Sequence, residues 1–432
     1  MNTKKASPTK ISYDYDIVIV GGGMVGLTLA QLLTRSLPGI RIALIERQPL
    51  STQNTPLQQS SFDGRATALS ATTVELFDDI GLWSALRLQA TPITQVHISD
   101  RGHIGLCTFS KEENDGRELG FVVDNARLGQ ALVQGLDQTE RLSIMAPAQV
   151  LKAQPVADGM QLTVKNQQGE EQLFRVDLLV LADGSKSPLA QSLGIEPFAH
   201  DYRQHALVTR VEFEKSHQGV AYERFTDEGP LALLPLGGNV DAKSGAVVWT
   251  HPSEKIDTTL ALSDSAFLVK LQQRFGYRLG IFARVGRRTS YPLSLHLATE
   301  QVRSSLVLMG NAAHFLHPVA GQGFNLAIRD CAQLVSILQM RLAAVERESP
   351  RLGSLAVLDQ YRASRDRDLF LTAELSHNFN RLFSNKRLPF IIGRNMGLLG
   401  LTFIPSLRRK FFKQVMGRGT ERAKLIMAKA VL

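Results

Sequence analysis

Two histidines stand three residues apart in the segment LMGNAAHFLHPVAGQGFN, which runs from Leu308 to Asn325. Imidazole nitrogens can bind a metal ion or act as the base of a nucleophilic enzyme. A zinc-binding helix would need a third ligand at suitable spacing, whereas the neighbouring Gly and Pro residues predict a loop. The chain also has no nucleophile elbow. We therefore expect neither a metal site nor a hydrolase triad, and interpret His314 as a packing residue, while for His317 packing and ligand contact both stay open.

A dinucleotide-binding pattern begins near the N-terminus, in the segment YDIVIVGGGMVGLTLAQLLTRSLPGIRIALIERQ. An apolar strand, a glycine turn and a helix are followed by a second strand that ends in an acid. Gly21, Gly23 and Gly26 fit the spacing G-x-G-x-x-G, and Glu46 follows Gly26 by 20 residues. Such glycines permit a tight turn close to a pyrophosphate, and the acid accepts hydrogen bonds from a ribose. The pattern predicts dinucleotide binding but does not separate FAD from NAD.

Further strand-to-loop junctions favour the longer cofactor. Arg65 lies in the segment FDGRATALS, in a loop that we expect to lead into a helix, and a predicted strand over residues 176–182 ends at Asp183 and Gly184. Another predicted strand, SSLVLMG, ends at Gly310. Junctions spread over roughly 300 residues can converge at the carboxyl ends of one parallel sheet. This arrangement suits one long cofactor lying across the sheet, as FAD would.

Composition excludes several other classes of protein. The chain has 432 residues, of which 44% are hydrophobic and 21% charged, so it is an ordinary globular protein long enough for two or three domains. Cys107 and Cys331 lie far apart, which excludes a disulfide framework and fits a reducing cytoplasm. The first 15 residues lack the apolar core of a secretory signal.

The C-terminal segment is basic and apolar at once. Residues 381–432 contain 12 Lys or Arg and one Glu, although the whole chain carries only +9. The charges alternate with apolar stretches such as LRRKFFKQVM, so a peripheral membrane surface suits this segment better than nucleic acid. A helical lobe that packs its apolar face on the body is the open alternative. Arg394 and Asn395 interrupt the longest apolar stretch, so we expect no transmembrane span.

The combined motifs resemble a known family. The set G-G-G-x-x-G, D-G-R, A-D-G-x-x-S and G-N-A-A-H-x-x-x-P-x-x-G-Q-G-x-N is similar to the FAD-dependent aromatic hydroxylases of the para-hydroxybenzoate hydroxylase type. FDGRATALS, AYERFTDEGPLALLPL and HPVAGQGFNLAIRD resemble their ubiquinone-biosynthesis branch. The likeness runs from about Tyr15 to Gly400. It implies an α/β fold, with a Rossmann-like FAD-binding domain, an antiparallel β-sheet substrate domain and a C-terminal helical segment.

The resemblance also implies domain boundaries and residue roles. The FAD-binding domain would comprise residues 12–75, 115–195 and 289–345, the substrate domain 76–114 and 196–288, and the basic helical segment 346–432. FAD-binding roles would fall to Gly21, Gly23, Gly26, Glu46, Arg65, Asp183, Gly184, Gly310, Asn311, Gly323, Phe324 and Asn325. The residues beside the flavin ring would be His317, Pro318, Gly321, Gln322 and Gly323, none of them as an acid or base. Two positions depart from the family pattern: Asn311 replaces a usual Asp, and Ala190 replaces a frequent Arg.

The activity implied by the resemblance is that of an FAD-dependent monooxygenase that uses O2 and NAD(P)H. It would hydroxylate the phenol ring of 2-polyprenyl-6-methoxyphenol, a polyprenylated ubiquinone precursor, through a flavin C4a-hydroperoxide. Other ubiquinone-biosynthesis proteins and the inner face of the cytoplasmic membrane would be its partners. A sibling enzyme acting at another ring position and an FAD-dependent isoprenoid reductase stay open as alternatives. Glu223 and Arg224 could contact the substrate, but we interpret them as a charge pair on an exposed strand face.

Overall fold

The computed structural model describes residues 14–50, 57, 59, 61–136, 141–226, 228–317, 321–344, 351–383, 388–419, 423 and 425–427. The strands are β1 (Tyr15–Val20), β2 (Ile42–Ile45), β3 (Ala66–Ser70), β4 (Thr91–Ile93), β5 (Gln95–Asp100), β6 (Leu106–Ser110), β7 (Gly120–Asp124), β8 (Leu142–Met145), β9 (Gln149–Val156), β10 (Gly159–Lys165), β11 (Glu171–Leu181), β12 (Pro197–Phe213), β13 (Val220–Thr226), β14 (Gly229–Leu236), β15 (Ser244–Pro252), β16 (Phe282–Val285), β17 (Thr289–Ala298), β18 (Val302–Arg303), β19 (Leu306–Leu308) and β20 (His314–Phe315). The helices are α1 (Met24–Ser36), α2 (Ala71–Asp79), α3 (Trp83–Leu86), α4 (Asn125–Gln134), α5 (Pro188–Ser192), α6 (Ser253–Leu260), α7 (Asp264–Phe275), α8 (Gln322–Ala343), α9 (Leu355–Phe383), α10 (Leu388–Phe403) and α11 (Pro405–Val415).

The first sheet has a parallel centre because its strands are continuous apolar runs. Its order is β18-β19-β11-β1-β2-β8, and β9 and β10 extend it beside β11. In β1, residues 17–19 are fully buried, as a strand covered on both faces requires. Helices α1 and α8 contribute to the core on one face, while β9, β10 and α5 contribute to the core on the other.

The predicted junctions meet at one edge of this sheet. Strands β19, β11 and β1 are adjacent and parallel, so their carboxyl ends lie side by side. The backbone N–H of Ala182 donates to the carbonyl of Val20 at 2.8 Å, and that of Met309 donates to Leu181 at 2.9 Å. The loops that begin at Gly21, Asp183 and Gly310 are therefore neighbours, which confirms the predicted convergence.

A second, antiparallel sheet stands beside the first, as the sequence predicts. Its order is β20-β17-β12-β15-β14-β13-β5-β6, with β16 beside β12. Strands β13 and β5 form the one parallel pair along this order. A three-stranded sheet, β3-β7-β4, follows Arg65, so a strand precedes the helix expected directly after that residue. Strand β17 belongs to the antiparallel sheet although it falls in a predicted FAD-binding segment, and the domain boundaries themselves stay a prediction.

Helix α10 has one packed face and one exposed face. Arg394, Leu398 and Leu401 are buried, whereas Met396 and Phe403 are exposed. The Nε atom of Arg394 donates to the Oδ2 atom of Asp100 at 2.6 Å, which fastens the helix to the end of β5. Among the described residues no single helix is long and apolar enough to cross a membrane. The segments 390–403 and 405–415 meet that requirement only as a pair, bent by 99°.

Buried ion pairs join β20, α8 and α9. The Nε2 atom of His314 donates to Oδ2 of Asp330 at 2.6 Å, and Nε of Arg365 donates to Oδ1 of the same carboxylate at 2.6 Å. Asp368 accepts from Arg365 at 2.6 Å and from Arg329 at 2.8 Å. Burial opposes ionisation of Asp330, but the charge of Arg365 and the bond from His314 outweigh it and lower its pKa to about 2. The carboxylates in this network are thus ionised and paired.

Replacing Asp330 with Ala should destabilise the fold by about 3–5 kcal/mol, because Arg365 and His314 would lose a buried partner. Asp366→Ala is the control, since it breaks only an exposed contact of 3.6 Å with Arg362 on the same helix and should change stability by at most about 1 kcal/mol. Urea unfolding measures both. The contribution of ionised Asp330 to the free energy of unfolding is complete above about pH 4 and is lost as the pH falls through about 2. The difference in unfolding free energy between wild type and Asp330→Ala should therefore shrink over that range. Equal destabilisation by the two substitutions would contradict the prediction.

Candidate active site

A cavity of about 720 Å³ lies between the carboxyl edge of the parallel sheet and the antiparallel sheet. The predicted residues that line it are Gly21, Gly23, Glu46, Arg65, Asp183, Gly184, Asn311, Gly321, Gln322, Gly323, Phe324 and Asn325. Gly26, Gly310 and His317 are not lining residues, and Pro318 lies outside the described residues. The structure therefore brings most of the predicted site residues to one cavity.

The glycine turn after β1 leaves no room for side chains. Gly21 has a φ of +109°, and a Cβ there would lie 2.5 Å from the carbonyl oxygen of Ala182. A Cβ on Gly26 would overlap the carbonyl oxygen of Gly21. Helix α1 begins after Gly23 with no capping side chain and no acid in its first turn. Its N-terminal amides and positive dipole end can therefore receive a pyrophosphate.

Glu46 is fixed at the end of β2 by backbone donors. Its Oε2 atom accepts from the N–H of Gly22 at 2.6 Å, and Oε1 accepts from that of Gln48 at 2.8 Å. A carboxylate oxygen has further lone pairs, so both atoms can still accept hydrogen bonds from a ligand. The half-buried carboxylate lines the cavity, which suits the ribose contact predicted for it.

Asp183 carries a buried acceptor that the protein leaves unused. Ser187 donates to its Oδ2 atom at 2.8 Å, while Oδ1 is buried and has no hydrogen-bond partner in the described part of the chain. Burial raises the pKa of Asp183 to about 6, opposed by the bond from Ser187 and reinforced by the charge of Glu46. An unpaired buried acceptor is unfavourable until a donor reaches it. A hydroxyl of a bound cofactor would be such a donor, and the site fits FAD in this respect.

Arg65 is held against the cavity wall by two neighbours. Its Nε atom lies 2.7 Å from a carboxylate oxygen of Asp63, and its guanidinium lies 4.6 Å from the centre of the Tyr291 ring. The Tyr291 hydroxyl donates to Asp63 at 2.9 Å, which closes the cluster. A guanidinium fixed in this way can face a phosphate or an electron-rich ring without first being ordered.

The start of α8 forms the part of the wall between the two sheets. Gly321, with a φ of +61°, precedes the helix, and a Cβ on Gly323 would meet no protein atom within 4 Å. The Asn325 side chain accepts from the N–H of Ser70 at 2.8 Å and donates to the carbonyls of Ala68 and Gly321 at 2.8 and 2.9 Å. Thr73 donates to the same Asn325 oxygen at 2.8 Å. Asn325 thus fixes this turn with its side chain, and the space beside Gly323 is open on the cavity side.

The two histidines of this loop are both buried. His314 makes the ion-pair contact with Asp330, in agreement with its interpretation as a packing residue. The His317 ring lies edge-to-face with Tyr202, 5.2 Å between centres, and burial lowers its pKa to about 4, so it is neutral. Its predicted place beside a flavin stays a prediction. Among the described residues no group of three or more His, Cys, Asp or Glu is arranged to hold a metal ion.

Several cavity residues are ones that sequence reasoning assigned elsewhere. Phe411 and Phe412 of the basic tail line the cavity and stack near Phe109, at 5.7 and 5.6 Å. Glu223 faces the cavity, whereas Arg224 bonds on the other side of the strand with the carbonyl of Arg274 at 3.0 Å. The two do not form an exposed charge pair, so that interpretation is wrong. Because side chains alternate along a strand, the sequence predicts that Glu223 and Arg224 point to opposite faces of the sheet. It does not indicate which of the two faces a ligand.

The comparisons with known proteins agree with this geometry. The family model described as "FAD binding domain" matches residues 14–368. The chain belongs to this family. It is an FAD-dependent monooxygenase, and FAD is its cofactor. The match covers the glycine turn, the Asp183 junction, the third junction at Gly310 and the start of α8.

Two relatives are similar to this monooxygenase in sequence, and one solved structure is similar to it in fold. It is 35% identical over 402 residues to the ubiquinone hydroxylase UbiL of Rhodospirillum rubrum, covering 93% of this chain and 89% of that protein. It is 29% identical over 408 residues to the 3-demethoxyubiquinol 3-hydroxylase of Escherichia coli, covering 93% and 98%. The crystal structure of p-nitrophenol 4-monooxygenase PnpA from Pseudomonas putida is similar in fold, with a TM-score of 0.73, 17% identity and coverage of 94% and 99%.

Replacing Gly323 with Val should impair hydroxylation more than folding. The new Cβ would meet no protein atom within 4 Å, and the side chain would occupy the open space beside the start of α8. We expect an unchanged melting temperature in the apoprotein and a loss of activity of at least about 10²-fold, as for a displaced reactant. Gly397→Val in α10 is the control, since a Cβ at Gly397 would also meet no protein atom within 4 Å and Gly397 is not a cavity residue. Flavin absorbance gives FAD occupancy, and wild-type turnover by Gly323→Val would place the flavin ring elsewhere.

Proposed function

We propose that this monooxygenase hydroxylates the phenol ring of a polyprenylated ubiquinone precursor, 2-polyprenyl-6-methoxyphenol. The proposal rests on the composition of the cavity. One end is built from the glycine turn, Glu46 and Asp183, and the other from apolar residues of the antiparallel sheet. An apolar ring with a long apolar chain suits the second end. Relatives named as ubiquinone hydroxylases support this class of substrate.

The protein's part in the reaction is to bind, orient and exclude water. Bound FAD would supply the redox chemistry with O2, and we propose NAD(P)H as the electron donor. The start of α1 and Glu46 would hold the adenosine half of the cofactor. The start of α8 presents uncapped amides, which would favour negative charge on a cofactor ring bound there. The apolar wall keeps water from the reacting atoms.

A sibling reaction at another ring position is the second candidate. It is favoured by the name of the E. coli relative, a 3-demethoxyubiquinol 3-hydroxylase, which is 29% identical to this chain. Both substrates would present a phenolic ring and a prenyl chain to the same cavity. The apolar lining therefore supports either reaction equally.

The deciding experiment is the identification of the precursor that accumulates when the gene is deleted. The proposal expects 2-polyprenyl-6-methoxyphenol in lipid extracts analysed by mass spectrometry, and restoration of ubiquinone by the wild-type gene but not by Gly323→Val. Accumulation of 3-demethoxyubiquinol would favour the sibling reaction. An unchanged ubiquinone content in the deletion strain would overturn both.

We further propose that the α10–α11 corner attaches the enzyme peripherally to the cytoplasmic face of a membrane. Ile392, Met396 and Phe403 recur at helical spacing on the exposed face of α10, and Ile404 and Leu407 continue the apolar surface around the bend. Exposed Arg409, Lys410 and Lys413 follow on α11. Apolar side chains flanked by cations suit an anionic lipid surface. Since Phe411 and Phe412 of the same helix line the cavity, this corner connects the lipid to the proposed substrate site.

Substitution of Ile392, Met396 and Phe403 by Ser should abolish sedimentation with anionic liposomes. The matched control replaces exposed apolar residues elsewhere, Leu173, Val269 and Tyr277, by Ser. Changing Arg409, Lys410 and Lys413 to Gln should weaken binding by about 1 kcal/mol for each cation at low salt. Arg408 is left intact because it pairs with Glu113 at 2.6 Å. Turnover of a short-chain soluble phenol should survive in all variants, and liposome binding equal to that of wild type would identify the corner as a packing lobe.

A further inference from the structure

Glu223 is an isolated acid in an apolar row of the antiparallel sheet. Its strand partners are Ala232 on β14 and Ile98 on β5, and Ala232 pairs in turn with Val248 on β15. Val248 pairs with Val208 on β12. Directly paired residues share a face of the sheet, so these five side chains form one row across it. All five line the cavity, and Glu223 alone among them is polar.

The carboxylate of Glu223 has no partner within the described part of the chain. It makes no hydrogen bond and no ion pair there, unlike Glu228, in the turn after β13, and Asp100, at the end of β5. Glu228 lies 3.3 Å from Lys255 and 3.3 Å from Arg274, and Asp100 lies 2.6 Å from Arg394. The Glu223 side chain is half-buried, and a partly desolvated carboxylate without a cation or donor opposes folding. Its presence in the cavity wall is therefore unexplained by the fold.

Burial alone raises the pKa of Glu223 to about 7. The other charged groups that line the cavity are Glu46, Arg47, Arg65 and Asp183, at the dinucleotide end, and none of them contributes to this shift. Residues that face the cavity from β5, β14, α8, α9 and α11 are uncharged. A carboxylate in such a setting changes protonation close to neutral pH, as a general base requires.

We propose that Glu223 is a catalytic residue that accepts the hydrogen bond, and then the proton, of the substrate's phenol hydroxyl. This inference rests on the proposed function, because it requires a phenolic substrate in the cavity. As oxygen is transferred to the ring, the phenol O–H bond breaks, its electron pair stays on the phenol oxygen, and an O–H bond forms on a Glu223 oxygen. No electron is gained or lost in this proton transfer.

The proton returns when the ring becomes aromatic again. The attacked carbon then loses its hydrogen to solvent as a proton, and the C–H electron pair re-enters the ring. The phenol oxygen takes back the proton from Glu223, which regains its charge for the next turnover. Electron density on the phenol oxygen favours electrophilic attack on the ring, so a base at this position would promote the reaction as well as orient the ring.

The test compares Glu223→Gln with wild type as FAD-loaded enzymes. The substitution keeps the shape and removes the base. We expect a loss of about 10²–10⁴-fold in kcat with 2-methoxy-6-prenylphenol, a single-prenyl probe, and unchanged FAD content. Wild-type kcat/KM should fall as the pH drops through about 7, because the base must be ionised, and this limb should be absent from Glu223→Gln. Glu212→Gln, an exposed acid on β12, is the control and should match wild type.

Two further measurements distinguish a catalytic role of Glu223 from a structural one. The melting temperature of Glu223→Gln should equal or exceed that of wild type, because an unpartnered carboxylate is removed, whereas a structural role would lower it. Binding of the same phenol, followed by the change in flavin absorbance, should vary with pH in wild type and not in Glu223→Gln. If wild type binds the phenol with this pH dependence but does not hydroxylate it, the proposed function fails. The role of Glu223 in phenol binding then stands. If Glu223→Gln keeps the wild-type turnover and pH profile, the inference is overturned.

Discussion

The side-chain amide of Asn325 joins parts of the chain that are more than 250 residues apart, and the shape of the cavity depends on it. Its oxygen accepts from Ser70 and Thr73, and its nitrogen donates to Ala68 and Gly321. Each of these bonds is buried or half-buried, so a shift of α8 would leave donors and acceptors unpaired. The first turn of α8 therefore has one position relative to β3 and α2. The uncapped amides at the start of α8 are fixed by the same bonds.

Deeper in the fold, charged groups hold the same helix. Asp330 on α8 meets His314 from β20 and Arg365 from α9, so the helix is fastened on two sides. Such a network gains little stability over apolar packing, but it tolerates few alternative arrangements. The loop between β20 and α8 thus starts and ends on anchored residues. An amide and a set of ion pairs, separated by about one and a half turns of α8, together determine where the helix begins.

Local patterns predicted the parts of the fold that local physics determines. Apolar runs such as YDIVIV predict buried parallel strands, and the spacing of Gly21, Gly23 and Gly26 predicts the turn that α1 follows. What could not be read from the sequence depends on contacts between distant segments. Phe411 lies in a basic apolar stretch that would equally suit a membrane, whereas in the fold it stacks on Phe109 and lines the cavity. Asn325 was predicted as a cofactor-binding residue and lines the cavity, but its residue type does not reveal that its side chain bonds to the protein.

Buried acids in this molecule fall into two groups, and the difference indicates where ligands bind. Asp100, Asp330 and Asp368 meet guanidinium groups, and Asp177 accepts from the backbone N–H of Leu352 at 2.6 Å. These carboxylates are compensated within the fold. In the described part of the chain, the Oδ1 atom of Asp183 is buried without a partner, and the half-buried Glu223 carboxylate makes no hydrogen bond or ion pair. Both residues line the cavity, one toward each end. Since an unpaired acceptor in a desolvated place destabilises the protein alone, both positions are better explained by partners that arrive with the ligands: a cofactor hydroxyl at Asp183 and a substrate hydroxyl at Glu223.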